Sequence, residues 1–419
     1  MKYLYYILLF SLFLSACRSN KALVTKQLDQ KLSSVFYKNQ FTGVLVVDAD
    51  TKDTIYNLDS DKYFIPASNT KIFTLYAGLK IIPENIPALK YLEANDSLYF
   101  EGTGDPSFLH PYLKDSIALN FLKDKTNLVH ITDNFQDKKY GPGWAWDDYE
   151  WYYSPERNAL PVYGNVVMIT NDSVVPSYFR DSVLQITNAV HRKETVNLFY
   201  YPPQYQDTLE VPFITSASTT TDLLEEVLNV TLTEQAHMPL GSKKTLRGIK
   251  ADTLYTRMMH ESDNFIAEQL LILVASELKD TLNSSMSRTY ILENDLTDLA
   301  QQPRWVDGSG LSRYNLFTPQ NMVHVLHKLY TLVPRKRLFT IFPAGGVSGT
   351  LKNKFQGQGQ PYIYAKSGSL SNNYCLSGYL LTNSGKTLIF SFMNNHFRNS
   401  TKEERNQLEA MLQTLRDTY

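Results

Sequence analysis

Residues 65–79 read Ile65-Pro66-Ala67-Ser68-Asn69-Thr70-Lys71-Ile72-Phe73-Thr74-Leu75-Tyr76-Ala77-Gly78-Leu79. Proline suits the position just ahead of a helix, because its ring fixes φ and it lacks the N–H that a first turn leaves unpaired. Beyond Pro66, Ile72, Leu75 and Leu79 recur at helical spacing with Phe73 and Tyr76 beside them. The stretch is therefore predicted to be a helix with an apolar face. Ser68 and Lys71 stand three positions apart at its start. In a helix such a pair lies one above the other, with Cβ atoms about 5–6 Å apart. A serine hydroxyl is a poor nucleophile at neutral pH and needs a nearby base. A lysine serves as that base only when its pKa falls, which burial or a neighbouring cation brings about. The helix start adds unpaired N–H groups and the positive end of the dipole, both favourable to developing negative charge.

Working outward, Gly43–Asp48 and Thr54–Leu58 read as two strands joined by a polar turn through Asp50 and Lys52. Near the other end, Tyr374–Leu381 and Thr387–Met393 flank Asn383-Ser384-Gly385, a hairpin signal. Glu404–Leu415 is predicted to be an amphipathic helix, with Leu408, Met411, Leu412 and Leu415 on one face. Strands and helices at both ends predict an α+β domain assembled from the two termini, residues 22–90 and 250–419. Between them the texture changes. Short alternating stretches at Val166–Thr170, Tyr178 and Val183–Thr187, separated by Asn, Asp and Pro, predict a β-rich insertion over residues 91–249. From Asp252 to Leu278 the pattern is helical again, with a break around Ser262.

Two more short motifs follow Ser68-Asn69-Thr70-Lys71: Ser262-Asp263-Asn264 and Lys366-Ser367-Gly368. Each is weak alone. Ser276-Glu277-Leu278-Lys279 is a second S-x-x-K, Ser371-Asn372-Asn373 a second S-x-N, and Tyr163-Gly164-Asn165 a Y-x-N variant. Context separates the copies. Ser68 opens a helix after a strand pair, and Ser262 interrupts a helical region. Lys366 heads a strand and could be the cation that depresses Lys71, while Gly368 lets a substrate backbone approach closely. The ordered trio resembles that of penicillin-recognising serine enzymes.

A long insertion lies between the first two motifs. With it, the chain resembles the D-alanyl-D-alanine carboxypeptidase/endopeptidase family, the class C low-molecular-mass penicillin-binding proteins. Further blocks carry the resemblance: Gly102-Thr103-Gly104-Asp105-Pro106, Trp144-Ala145-Trp146-Asp147-Asp148, His260-Glu261-Ser262-Asp263-Asn264 and Asp307-Gly308-Ser309-Gly310-Leu311-Ser312. The glycine-rich blocks are read as turns. The resemblance implies a β-lactamase/transpeptidase-like domain, an antiparallel sheet flanked by helices, interrupted by the β-rich insertion. It implies that Ser68 attacks the carbonyl between two D-alanines while Lys71 takes its proton. Ser262 would relay a proton to the leaving amine, and Asn264 would hydrogen-bond the substrate backbone. Lys366, Ser367 and Gly368 would receive the terminal carboxylate, and the N–H groups of Ser68 and Ser369 would form an oxyanion hole. The implied partners are stem peptides of peptidoglycan ending in D-Ala-D-Ala, with β-lactams as covalent inhibitors. Two departures stand out: Ser367 replaces the usual threonine, and the insertion is short for the family. Two rivals stay open. A β-lactamase would need a deacylating group, for which Glu293 is the acidic candidate, and a catalytically silent lipoprotein would only bind peptidoglycan.

The N-terminus adds a location. Lys2 precedes an apolar run, Leu4–Leu14, too short to span a bilayer comfortably, and Leu14-Ser15-Ala16-Cys17 follows. This is a secretory signal over residues 1–17, and its last four residues resemble a bacterial lipobox in which Cys17 becomes the acylated N-terminus. An exported lipoprotein of the bacterial envelope, anchored to the membrane and facing the periplasm, is the expectation. Arg18–Lys21 would be its tether. Cys375, the other cysteine, lies in an apolar run and reads as a small buried hydrophobe. No His/Cys cluster has metal-ligand spacing, and no metal or cofactor is expected. A formal net charge of −1 gives no electrostatic reason to expect nucleic acid. The 28 Tyr and 21 Phe are read as packing residues before any stacking platform.

Overall fold

The computed structural model describes residues 20–419, so the signal segment and Cys17 lie outside the described residues. The two ends of the chain meet in one antiparallel sheet of five strands. Their order is Ile363–Leu370, Asn373–Leu381, Thr387–Asn395, Phe41–Asp48 and Thr54–Leu58. The two predicted hairpins supply four of its strands, joined by the register Phe41↔Asn395 to Asp48↔Leu388, and Ile363–Leu370 adds the fifth at one edge. Asp48 forms the first turn: its Oδ1 accepts the N–H groups of Asp50 (3.0 Å) and Thr51 (3.1 Å). The strands carry apolar residues on both sides because both faces are covered.

Helices Lys71–Ile81, Asn264–Leu278 and Pro319–Leu332 supply much of one covering layer. Helical residues 20–32 and the helix Thr401–Thr418 cover the other face through Val24, Leu28, Leu408, Met411, Leu412 and Leu415. The last helix starts at a capping box between Ser400 and Glu403. Helix Asn264–Leu278 is apolar on almost every side, as befits a helix running through the centre of the molecule.

A second five-stranded sheet begins at Asn85–Ala94 and closes at Lys244–Lys250, with Ser97–Gly102, Leu128–Ile131 and Thr233–Gln235 beyond. The middle of the chain also holds helices Ile117–Lys123 and Ala217–Leu228. Two expectations here need correction. Tyr178 lies in the 3₁₀ turn Ser177–Ser182 and not in a strand. Its neighbour Phe179 is drawn into the core against Phe199 and Phe213, with centroids 5.5 and 5.1 Å away. Val183–Thr187 shrinks to the two-residue strand Val183–Leu184, whose only ladder partner is the equally short Phe199–Tyr200. Alternation shows which side chains share a face. It does not supply the neighbouring strand that a ladder needs.

Candidate active site

Ser68 stands in the 3₁₀ turn Ala67–Thr70, which runs straight into helix Lys71–Ile81. The chain enters through Ala67 at φ 49°, a left-handed conformation unusual for a residue with a Cβ. The turn is held from two sides. Thr70 Oγ1 donates to Ala67 O (2.9 Å), and Ile65 N donates to Asn395 Oδ1 (2.7 Å) on the central strand.

Lys71 Nζ is fully buried and lies 3.0 Å from Ser68 Oγ, 2.7 Å from Asn264 Oδ1 and 2.7 Å from Ser309 O. An ammonium would spend all three hydrogens on these oxygens. A neutral amine would give two hydrogens to Asn264 and Ser309, leaving its lone pair for the Ser68 hydroxyl. That is the geometry of a general base. Burial lowers the pKa of Lys71 to about 8, while the charges of Asp307, Glu268 and Asp263 hold it from falling further.

Because the neutral form is the base, acylation should gain about tenfold per pH unit up to pH 8 and level off above it. A pH profile of the second-order acylation rate checks this; a rate flat from pH 6 to 9 would exclude Lys71 as the titrating base.

Ser262 occupies the break between helices Ala251–His260 and Asn264–Leu278, at φ 57°. Asp263 fastens the break by accepting Ile266 N at Oδ1 (3.0 Å) and Arg257 Nε at Oδ2 (2.9 Å). Ser262 Oγ accepts from the buried Lys366 Nζ (2.9 Å), which also donates to Ser367 O (2.7 Å). Lys366 sits well below the ordinary lysine range, first because of burial and then because of the Lys71 charge. Burial is the largest cause of the lowering at both lysines, and at Lys366 the Lys71 charge adds to it.

Lys366 is the fourth residue of its strand, not the first. Ser367 Oγ donates to Thr350 Oγ1 (2.9 Å). At Gly368 the strand edge presses on the turn that carries Ser68. A Cβ there would stand 2.6 Å from Pro66 O and 2.9 Å from the backbone N of Ser68 and of Asn69. Ser68, Ser262, Asn264 and the exposed Ser369 line one open cleft of about 900 Å³.

Several contributors were not legible from motifs. Asn264 Nδ2 donates to Tyr153 O (3.0 Å), so both ends of its carboxamide are engaged, and a substrate amide would have to share that bond. The block Asp307–Ser312 is a turn, as read, but it also provides Ser309 O for Lys71. Asp307 accepts from Gly310 N, Ser312 N, Asn315 Nδ2 and Trp144 Nε1. Buried Glu268 accepts Ser309 N (2.7 Å) and lies 3.5 Å from Nη1 of buried Arg157. Burial and the charge of Asp307 raise the Glu268 pKa, and Arg157 opposes them.

The duplicate motifs fall elsewhere. Ser276 is buried and donates to Leu273 O (2.8 Å) within its own helix. Asn165 bonds Glu156 O (2.8 Å) inside the middle segment, and Ser371-Asn372-Asn373 rounds a hairpin. Glu293 is exposed near the end of helix Ser284–Asn294 and does not line the cleft. Cys375 is buried, and burial pushes its thiol up to about 12. Among the described residues no His, Cys, Asp and Glu cluster could hold a metal ion.

A helix-start serine against a buried lysine, facing a second lysine from a strand edge, defines a serine peptidase of the acyl-transfer type. The chain belongs to the D-Ala-D-Ala carboxypeptidase 3 (S13) family, whose pattern matches residues 24–188 and 246–418. It is 22% identical to D-alanyl-D-alanine carboxypeptidase DacB of Haemophilus influenzae, over 90% of either chain. It is 24% identical to the D-alanyl-D-alanine carboxypeptidase of Actinomadura sp. (strain R39), over 88% of this chain and 80% of that one. Its fold is shared with the crystal structure of penicillin binding protein 4 from H. influenzae. The TM-score is 0.73 at 21% identity, covering 93% of this chain and 98% of the other. A penicillin G-acylated predatory endopeptidase from Bdellovibrio bacteriovorus matches at a TM-score of 0.51 and 15% identity, covering 90% and 93%.

Proposed function

We propose that this serine D-Ala-D-Ala peptidase uses Ser68 as its nucleophile and Lys71 as the base, in a cleft that takes peptidoglycan stem peptides. The observation that carries the reading is the buried Lys71 amine, aimed at Ser68 Oγ by Asn264 and Ser309. Ser68 Oγ bonds to the carbonyl carbon as its proton passes to Lys71. The C–N bond breaks, and the leaving amine takes a proton relayed through Ser262, which Lys366 holds by hydrogen bond. Water then hydrolyses the ester and restores Ser68. The N–H groups of Ser68 and Ser369 serve as the oxyanion hole, a role supported by the tight approach of the Gly368 strand to Ser68 N. One such donor is worth about 10²–10³ in rate. β-Lactams acylate the same serine, a reading supported by the penicillin G-acylated form of the Bdellovibrio relative.

Residues 91–249 are read as an inserted domain, supported by a separate apolar cluster running from Leu98 to Leu232 that also takes in Ala88 and Leu89. The protein is read as an exported lipoprotein, acylated at Cys17, on the strength of Leu14-Ser15-Ala16-Cys17. Among the described residues no helix is long and apolar enough to cross a membrane. The intact mass of membrane-extracted protein tests the anchor: a mature chain starting anywhere but Cys17 refutes it.

Lys366 is a buried cation with no carboxylate within ion-pair distance among the described residues. An incoming C-terminal carboxylate would supply that counter-charge. Charged hydrogen bonds contribute about 1.5–3 kcal/mol, or roughly 10- to 150-fold in rate. Lys366→Ala should therefore cost a peptide ending in free D-Ala-D-Ala that much more kcat/KM than its C-terminal amide. Equal losses on the two peptides would mean that Lys366 serves only Ser262 and Lys71, and the carboxylate role falls.

A further inference from the structure

One side of the cleft mouth is bordered by aromatic residues that peptide hydrolysis does not use. Trp144 and Tyr153 at the ends of this run are occupied inward, by Asp307 and Asn264. Three of the residues between them turn out. Trp146 is 71% exposed, Tyr152 62% and Trp151 43%. A single exposed hydrophobe needs no explanation, but three large aromatic rings within seven residues beside a cleft mark an interaction surface.

The rings are held in place. Trp146 packs against Tyr149 with centroids 6.1 Å apart, and Tyr149 OH donates to Arg192 O (3.1 Å). Trp151 lies parallel to Tyr153 (6.5 Å, 2°) and edge-on to His191 (5.5 Å, 87°). Tyr152 meets Tyr153 edge to face at 5.5 Å. Tyr153 is itself fixed by donating its hydroxyl to Asp148 Oδ1 (2.7 Å). A pre-ordered platform loses little entropy when it binds. It is also continuous with the cleft, because Ala145, Asp147, Asp148, Tyr152 and Tyr153 line the space that holds Ser68.

The composition selects the occupant. Indole and phenol rings with one polar edge suit a ligand that is apolar on its faces and wet at its rim. A pyranose ring is such a ligand, with C–H groups on its flat faces and hydroxyls around the edge. An acyl chain or an apolar protein face would be met by large aliphatic residues, and between Trp144 and Tyr153 the only exposed aliphatic side chain is the methyl of Ala145. The stem peptides of peptidoglycan hang from a polysaccharide. About five extended residues reach at most about 17 Å, so a peptide seated at Ser68 carries its sugar chain to the rim of the cleft.

We propose that Trp146, Trp151 and Tyr152 form a pyranose-stacking subsite that docks the glycan strand of the polymeric substrate. The inference rests on reading the substrate as a peptidoglycan stem peptide, and the experiment separates the two. The probe is glycan strands stripped of their peptides, titrated into the full-length protein with tryptophan fluorescence as the readout. Saturable quenching is expected. Trp146→Ala should weaken binding about 3- to 10-fold, and Trp146→Tyr should restore most of it. On intact peptidoglycan Trp146→Ala should lose a similar factor in kcat/KM, while a short soluble D-Ala-D-Ala peptide is cleaved at the wild-type rate. Failure of the stripped glycan to bind wild-type protein would overturn the subsite. So would a parallel loss on the soluble peptide, which would make Trp146 structural. Failure of wild-type protein to cleave the soluble peptide would instead sink the substrate reading, independently of the glycan titration.

Discussion

Ser68→Ala should yield a folded protein that forms no acyl-enzyme with penicillin and has lost about 10⁶-fold in peptide hydrolysis. The size of the loss follows from covalent chemistry, since no neighbouring group can replace the missing oxygen. Folding should hardly notice. The hydroxyl is half-buried and receives one hydrogen bond, from Lys71 at 3.0 Å, so the stability cost is about 1 kcal/mol or less. Ser276→Ala is the matched control. Its hydroxyl is buried and spent on Leu273 O, so labelling should be unchanged. Intact mass after incubation with benzylpenicillin reads both variants. Undiminished adduct on Ser68→Ala would move the nucleophile to another residue.

Arg157→Met is expected to destabilise the protein by about 3–5 kcal/mol although Arg157 stands outside the catalytic motifs. Its guanidinium is buried between the carboxylates of Glu268 (3.5 Å) and Asp137 (3.6 Å), and it donates to Ser284 Oγ (2.8 Å). Removing the cation leaves Glu268 buried and repelled by the like charge of Asp307. The loss should shrink in acid. Burial and the Asp307 charge already raise the Glu268 pKa in the folded state, and without Arg157 it rises further. Between the unfolded and folded pKa values the native state then binds more protons than the unfolded state, so stability falls as pH rises. Urea unfolding at several pH values measures both effects, and Arg157→Met/Glu268→Gln should regain much of the loss. A cost below 1 kcal/mol at neutral pH, or a cost that grows in acid, would show that the pair is not the joint described here.

What was readable in the sequence was what repeats locally or stands in a fixed short spacing. Ile72, Leu75 and Leu79 revealed the helix, and with it the stacking of Ser68 on Lys71. The break at Ser262 was visible because a helical pattern stopped and resumed. The partners of Lys71 were less accessible. Ser309 acts through its carbonyl, which every residue carries, and Tyr153 acts on Asn264 in the same way. Glu268 did leave a signal. A lone carboxylate inside Phe265–Leu273 is the kind of group that must find a buried partner, although its partner, Arg157, cannot be located by spacing. The depth of the two lysines was hidden for a related reason: how deeply each is buried emerges only when the strand edge, the helix and the middle segment are packed together. Tyr178 and Val183–Thr187 failed because a strand is completed by a neighbour far along the chain.

The order of strands also sets when the enzyme can come into being as the chain is made. The central strand of the five-stranded antiparallel sheet is Thr387–Asn395, and it pairs with Phe41–Asp48, which is synthesised long before it. Until it emerges, the opening hairpin has no sheet to join, and Asn395 cannot hold Ile65 at the entrance to the Ser68 turn. Such pairings between distant parts of the chain form slowly, because the intervening loop must close before contact is rewarded. The nascent polypeptide is therefore inert until Thr387–Asn395 has emerged, and the turn that carries Ser68 is completed only then.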